Sequence, residues 1–246
     1  VVDLGPDLSL CTGQTALLDV TLPGASYGWT TGSNASSITV NAPGTYGVTV
    51  FQNNCFASDA IDVVYNPFPT VNIGPDATLC AGDQVTFDAT TPGATYLWHD
   101  GSTNATFTAN STGIVSVDVT VNSCTTTDVA SVQVNPYPFF DLGPNTTVCP
   151  GTVVPLNATV PGATYLWQDG STGAIFNANA PGTYSVAVTL NGCTSNDAIT
   201  ISHFALPVFD LGADQSICAG SSTILTANVP GATYLWNTGS TANNIT

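Results

Sequence analysis

The stretch PGATYLWQDGSTGAIFNANAPGTYSVAVTLNGC, residues 161–193, decides the fold. Tyr184, Val186, Val188 and Leu190 alternate with Ser185, Ala187 and Thr189, so an extended strand would present one set on each face. Short β-branched or aromatic runs at Val153–Leu156, Thr164–Trp167, Ala174–Asn177, Thr183–Leu190 and Ala198–Ser202 are divided by Pro-Gly, Asp-Gly and Asn-Gly. No segment has a helical period. The pattern predicts short antiparallel strands joined by tight turns.

Working outward, the same stretch recurs along the chain. Trp29, Trp98, Trp167 and Trp236 follow one another at a step of 69 residues. Cys11, Cys80, Cys149 and Cys218 keep that step, as do Cys55, Cys124 and Cys193, and the linker prolines Pro69, Pro138 and Pro207. With no slip in the period, the chain divides into repeats at 1–69, 70–138 and 139–207, and a shorter fourth copy at 208–246. Six or seven short strands per repeat around a central Trp predict an all-β fold: tandem small immunoglobulin-like antiparallel β-sandwiches. Linkers such as Asn135-Pro-Tyr-Pro138 are proline-stiffened, so the expected arrangement is an extended rod, on the order of 35 Å per repeat.

Composition removes several functions. Asp supplies all 16 acidic residues, Lys and Arg are absent, and the net charge is -16. Phosphate neutralisation needs cations, so nucleic-acid binding and attraction to anionic lipid are excluded. No apolar run reaches the ~20 residues of a membrane span, and Val1-Val2-Asp3 does not open a signal peptide, so direct membrane insertion is not expected and the chain reads as a soluble, mature or excised segment. An apolar content of 43% is enough to bury cores, which argues against disorder. Without Lys or Arg, stability must come from apolar burial, β hydrogen bonds and covalent links.

The cysteines suggest those links. Within each complete repeat two lie 44 apart, giving the expected disulfides Cys11–Cys55, Cys80–Cys124 and Cys149–Cys193, one per repeat. There is no Cys-x-x-Cys, which disfavours metal. Each closure would contribute about 4 kcal/mol in the chain-entropy treatment and would place the protein in an oxidising compartment. Cys218 would be left over, its partner lying past residue 246.

Catalytic signals are thin. Gly24-Ala-Ser-Tyr-Gly28 has the spacing of a nucleophile elbow, but no helical pattern follows and neither histidine lies in that repeat, so Ser26 reads as a strand residue. His99 and His203 occupy unrelated positions in their repeats and read as surface residues. The four Trp read as core rather than as sugar platforms. Asp59, Asp128 and Asp197 recur just after the second cysteine, and are the candidates for Ca²⁺ ligation. Ordinary turn chemistry explains the same residues without an ion, and no other cofactor is expected. Sequons such as Asn104-Ala-Thr matter only in a source that glycosylates them.

Copies reading GPDATLCAGDQVTFDATTPGATYLWHDGST (74–103) and APGTYSVAVTLNGCTSNDAITI (180–201) resemble the PKD-like or Ig-like repeats of giant cell-surface proteins of Bacteroidetes. Those are the adhesins and gliding-motility-associated proteins exported by type IX secretion. The resemblance implies an extracellular or cell-surface structural segment of a fibre or adhesin stalk, and no enzyme. Its partners would be neighbouring repeats of the same chain and, by lateral self-association, other chains. The lack of Lys, Arg, Glu and Met departs from that family's usual composition and leaves trypsin no site. The competing expectation is a carbohydrate- or surface-binding spacer of a secreted multidomain protein.

Overall fold

A computed structural model describes all 246 residues and contains strands and turns but no helix. Repeat 1 has six strands: β1 (Leu8–Cys11), β2 (Ala16–Asp19), β3 (Ser26–Trp29), β4 (Ser37–Val40), β5 (Gly44–Gln52) and β6 (Cys55–Asn66). One sheet has the order β1-β6-β5-β3 and the facing sheet is β2-β4. Only β1 runs parallel to its neighbour, with Leu8 opposite Val63 and Cys11 opposite Asn66. The remaining pairs are antiparallel. Two packed sheets of this order, with the first strand parallel to the last, form a reduced immunoglobulin-like sandwich.

Repeat 2 repeats that order with β7 (Ala77–Cys80), β8 (Val85–Asp88), β9 (Thr95–Trp98), β10 (Thr106–Ala109), β11 (Gly113–Val121) and β12 (Cys124–Asn135). Repeat 3 does so with β13 (Thr146–Val148), β14 (Val154–Asn157), β15 (Thr164–Trp167), β16 (Ile175–Ala178), β17 (Gly182–Leu190) and β18 (Cys193–His203). The fourth copy holds only β19 (Leu225–Thr226) and β20 (Asn244–Ile245). Contacts divide the chain into two compact units, Val1–Pro136 with repeats 1 and 2, and Tyr137–Thr246 with repeat 3 and the fourth copy. The division falls inside the Asn135-Pro-Tyr-Pro138 linker.

Each complete repeat has its own core around its Trp. Trp29 packs with Leu18, Val48 and Ile61, Trp98 with Phe87, Val117 and Val132, and Trp167 with Leu156, Val186 and Ile199. The alternation read in the sequence is realised, since Val186 and Val188 are buried within β17. The last strand is longer than expected: β18 begins at Cys193, not Ala198. Its hairpin closes with Leu190 opposite Cys193, and the two turn residues, Asn191 and Gly192, have φ of 50° and 85°. Both positive values define the tight turn whose twist matches its strands, so pairing starts immediately beyond it.

Two further devices recur. Leu22-Pro23-Gly24-Ala25 is a turn with Gly24 at φ 73° and the Ala25 amide donating to the Leu22 carbonyl, a geometry that a Cβ at residue 24 would strain. The Tyr27 hydroxyl clasps it, accepting from the Leu22 amide and donating to its carbonyl. Tyr96, Tyr165 and Tyr234 do the same for their own turns. The indole N–H of Trp29, Trp98 and Trp167 donates to a carbonyl six residues on, as Trp98 does to Asn104 at 2.8 Å, so each ring is buried without an orphan donor.

Candidate functional site: the junction between repeats 1 and 2

The two cysteines of a repeat stand at opposite poles of the sandwich. Cys55 opens β6 and Cys11 lies beside Asn66, which ends it. Twelve residues of extended strand separate the poles by roughly 36 Å at ~3.3 Å per residue. A disulfide needs Cα atoms roughly 4.4–6.8 Å apart. The expected bond Cys11–Cys55 is therefore wrong, and so is Cys80–Cys124, because Cys80 lies beside Asn135 and Cys124 opens the same 12-residue strand. In repeat 3, Cys149 follows Val148, which pairs with His203 at the far end of β18 from Cys193, so Cys149–Cys193 fails for the same reason.

The bond that forms joins two repeats. The chain leaves repeat 1 at its Cys11 pole and enters repeat 2 at the Cys124 pole, and the two sulfurs meet there. Cys11–Cys124 has a Cα–Cα distance of 5.5 Å and closes a separation of 113 residues. Both half-cystines are buried, Cys124 completely. Around them, the Cys124 sulfur lies 3.7 Å from the Asn66 carbonyl and the Cys11 sulfur 3.7 Å from that of Ser123. The Asn122 side-chain amide donates to Asn66 Oδ1 at 3.4 Å, and Asn66 Nδ2 donates to Ser9 Oγ at 2.7 Å. Thr12 donates to the Asn66 carbonyl from its amide, at 2.9 Å, and from its hydroxyl, at 3.1 Å. The turn at Asn122-Ser123 and the end of β6 are thus stapled and hydrogen-bonded. Closing a loop of that length contributes about 5 kcal/mol in the chain-entropy treatment.

Cys80 and Cys193 are each half-cystines. Cys55, Cys149 and Cys218 are free, exposed thiols. Sequence reasoning missed the inter-repeat bond. The signal that could have found it is the absence of Gly and Pro from Cys55 to Asn66 and from Cys124 to Asn135, which lets one strand run the whole way and sets the two cysteines of a repeat a strand's length apart.

The recurring acids are spent on backbone. Asp59 Oδ2 accepts the Leu4 amide at 2.6 Å, Asp128 the Ile73 amide at 2.8 Å and Asp197 the Leu142 amide at 2.8 Å, each pinning the first segment of its repeat onto the last strand. Asp7 and Asp76 bind the amides of Asp62 and Ser131, with Asn145 doing so for Thr200. The Ser131 amide holds the Asp76 carboxyl below its ordinary value, and hydrogen bonds from Thr21, Thr90, Ser102 and Ser171 do so for Asp19, Asp88, Asp100 and Asp169. No three His, Cys, Asp or Glu side chains stand together as metal ligands.

Ser26 opens β3 as a strand residue. His99 is exposed with its ring edge against Phe107, and His203 closes β18. Trp29, Trp98 and Trp167 are 5%, 2% and 2% exposed, too buried to stack on a sugar. Trp236 is half-buried and lines an open apolar cavity of about 530 Å³ with Phe209, Leu225 and Tyr234 in the fourth copy.

No protein-family model and no curated protein matches the chain. Among solved structures it is similar to an I-band fragment of titin, domains I67–I69, at 12% identity and TM-score 0.46, over 83% of this chain and 98% of that one. It is also similar to Drosophila OTK extracellular domains 3–5, at 12% identity and TM-score 0.37, over 83% of this chain and 97% of that one. Sidekick-1 immunoglobulin domains 1–4 align at 11% identity and TM-score 0.34, over 81% of this chain and 74% of that one. The assignment as tandem immunoglobulin-like domains rests on the strand order and register of the chain itself.

Proposed function

We propose that this chain is a structural repeat segment of an extracellular fibre or cell-surface adhesin stalk, of the kind its repeats resemble in the exported Bacteroidetes proteins. One observation carries the reading: the Cys11–Cys124 bond ties repeat 1 to repeat 2 across their linker. An intra-repeat bond would protect one module, whereas this one resists separation of neighbours, which is the need of a load-bearing stalk. The bond also calls for an oxidising compartment, hence a location outside the cell or on its surface. The role in this reading is mechanical.

The test is to pull the single chain by its ends before and after reduction. With the bond intact, load crosses the Cys11–Cys124 sulfurs and does not run the full length of the loop between them. Reduction should release at least 113 residues of hidden length, roughly 370 Å at ~3.3 Å each. Equal contour lengths with and without reductant would reject the stalk reading. Specific glycan binding by the oxidised chain would favour the spacer instead.

A further inference from the structure

Repeat 1 carries on its outer face a relief that the other repeats lack. Val48, Val50, Ile61 and Val63 turn into the core, so alternation sends Thr49, Phe51, Phe56, Ser58 and Ala60 to the outside of the β3-β5-β6 surface. The register sets that surface in rungs: Ser26, Phe51 and Phe56, then Gly28, Thr49 and Ser58, then Gly47 with Ala60, then Thr45 with Asp62. Phe51 and Phe56 stand up from the first rung, 49% and 73% exposed with ring centroids 6.1 Å apart. Beside them an open trough of about 570 Å³ runs over Gly28, Thr30, Gly47, Thr49, Ser58 and Ala60. Repeats 2 and 3 put Thr120 with Thr125 and Thr189 with Thr194 where the phenylalanines stand, and exposed Leu97 and Leu166 where Gly28 leaves the floor open. Stacking of repeats does not cover the first rung, since Thr125 is exposed although its pole is joined to repeat 1 through Cys124.

The bump and the trough fit each other. A two-fold axis lying between two copies of the face, across the strands at the Thr49-Ser58 rung, lays the first rung of each copy on the third rung of the other. Phe51 then meets Gly47, and Phe56 meets Ala60, so each ring fills the space left by a missing or short side chain, as facing sheets interdigitate at ~10 Å separation. The hydrogen-bonded Thr49 and Ser58 hydroxyls of one copy face those of the other on the axis. Charge also permits the match in a chain of net charge -16, because the first three rungs carry none. The two Asp62 carboxylates end four rungs apart, ~27 Å at ~3.4 Å per residue, well past the ~8 Å over which such charges repel in physiological salt. In repeat 2 the same operation would set Asp118, on the middle rung, against its own copy. We propose that the outer β3-β5-β6 face of repeat 1 docks on the same face of a second copy of this chain, with the strands of the two copies antiparallel. The contact is small and therefore reversible. It adds a lateral contact to the stalk and does not rest on that reading: contour length on reduction reads the disulfide, whereas self-association reads this face.

The test is sedimentation equilibrium of the oxidised 246-residue chain, its exposed thiols capped with iodoacetamide so that only non-covalent association is read. The unaltered chain should pass reversibly from monomer to dimer as concentration rises, with more dimer at high salt than at low, since screening relieves the net repulsion. Phe51→Thr with Phe56→Thr, the pair that repeats 2 and 3 use, should weaken association by at least ~10-fold. Ala60→Val, which brings in the residue of repeat 2 at Val129, should weaken it by filling the trough, and Leu97→Thr should leave it unchanged. Trp fluorescence checks that each variant folds. In a mixture of ¹³C-labelled and unlabelled chains, nuclear Overhauser effects should join the Ala60 methyl of one copy to the Phe56 ring of the other. A chain that stays monomeric at its highest soluble concentration, a dimer that survives loss of both phenylalanines, or one that Leu97→Thr weakens equally would overturn the proposal. So would a monomer whose Phe51 and Phe56 bind a neutral glycan instead of a second copy.

Discussion

The hexapeptide Gly-Ala-Thr-Tyr-Leu-Trp occurs at 93–98, 162–167 and 231–236, and it has two structures. In repeat 3, Thr164–Trp167 is strand β15, paired with β17, and Trp167 is 2% exposed. In the fourth copy the same residues form no strand and Trp236 is half-buried. Local devices survive unchanged in both. Tyr234 clasps its turn as Tyr165 does, and the Trp236 indole reaches Ala242 at 2.7 Å as Trp167 reaches Gly173 at 2.7 Å. What the fourth copy lacks is any counterpart of β17 and β18. A strand here is a property of its partner, with propensity only permitting it.

The junction gives the largest way to break that comparison, because it too depends on a partner. Cys11→Ser should lower the unfolding free energy of the two-repeat unit by about 5 kcal/mol, whereas Cys55→Ser should change it by less than ~0.5 kcal/mol. Urea titrations of the oxidised proteins measure both. Equal effects would mean that Cys11 and Cys55 pair after all.

Next in size is the Trp pair itself. Trp167→Ala should cost about 3–5 kcal/mol, as expected for an aromatic removed from a closed core, and Trp236→Ala less than roughly half of that. Joining a copy of residues 178–207 after Thr246 should sharpen the test by supplying counterparts of β17 and β18. Trp236 emission should then shift to the blue and resist acrylamide quenching. An unshifted spectrum would show that pairing with such strands does not close the core.

Ser123 holds φ 68° in a turn where repeat 3 has Gly192 at 85°. Ser123→Gly should therefore raise stability by about 1 kcal/mol, read from the denaturation midpoint, because glycine takes that conformation without a Cβ clash.

Acid should act last and least. Asp19, Asp76, Asp88, Asp100 and Asp169, all in repeats 1–3, have carboxyls held below their ordinary value by hydrogen bonds. Folding thus favours their ionised form. The stabilisation is present above the unfolded value near pH ~3.9 and is lost as pH falls through the lowered folded values. Melting temperature should drop below about pH 4 through repeats 1–3, with the Trp236 environment unaffected. Melts in series from pH 7 to pH 2, followed by Trp fluorescence, check this.

Much of this was readable beforehand where the cause is local. The Pro23-Gly24 turn, the alternation ending at Leu190 and the Trp98 core all follow from residues within a few positions of each other. Asp128 was visible as a recurring acid but not as the holder of the Ile73 amide, whose partner is 55 residues away. The cysteines failed for the same reason: spacing along the chain suggested Cys11 with Cys55, yet an extended strand turns that spacing into distance.

By itself, then, the order of residues determined the repeat, the strands it can form, the turns that divide them and the aromatic at each centre, because steric and hydrogen-bonding preferences act between near neighbours. Only the tertiary structure decided which cysteine meets which and whether a Thr-Tyr-Leu-Trp segment becomes a strand. Both depend on groups brought together in space from distant parts of the chain, and stacking one repeat's exit pole on the next repeat's entry pole is what brings Cys11 to Cys124.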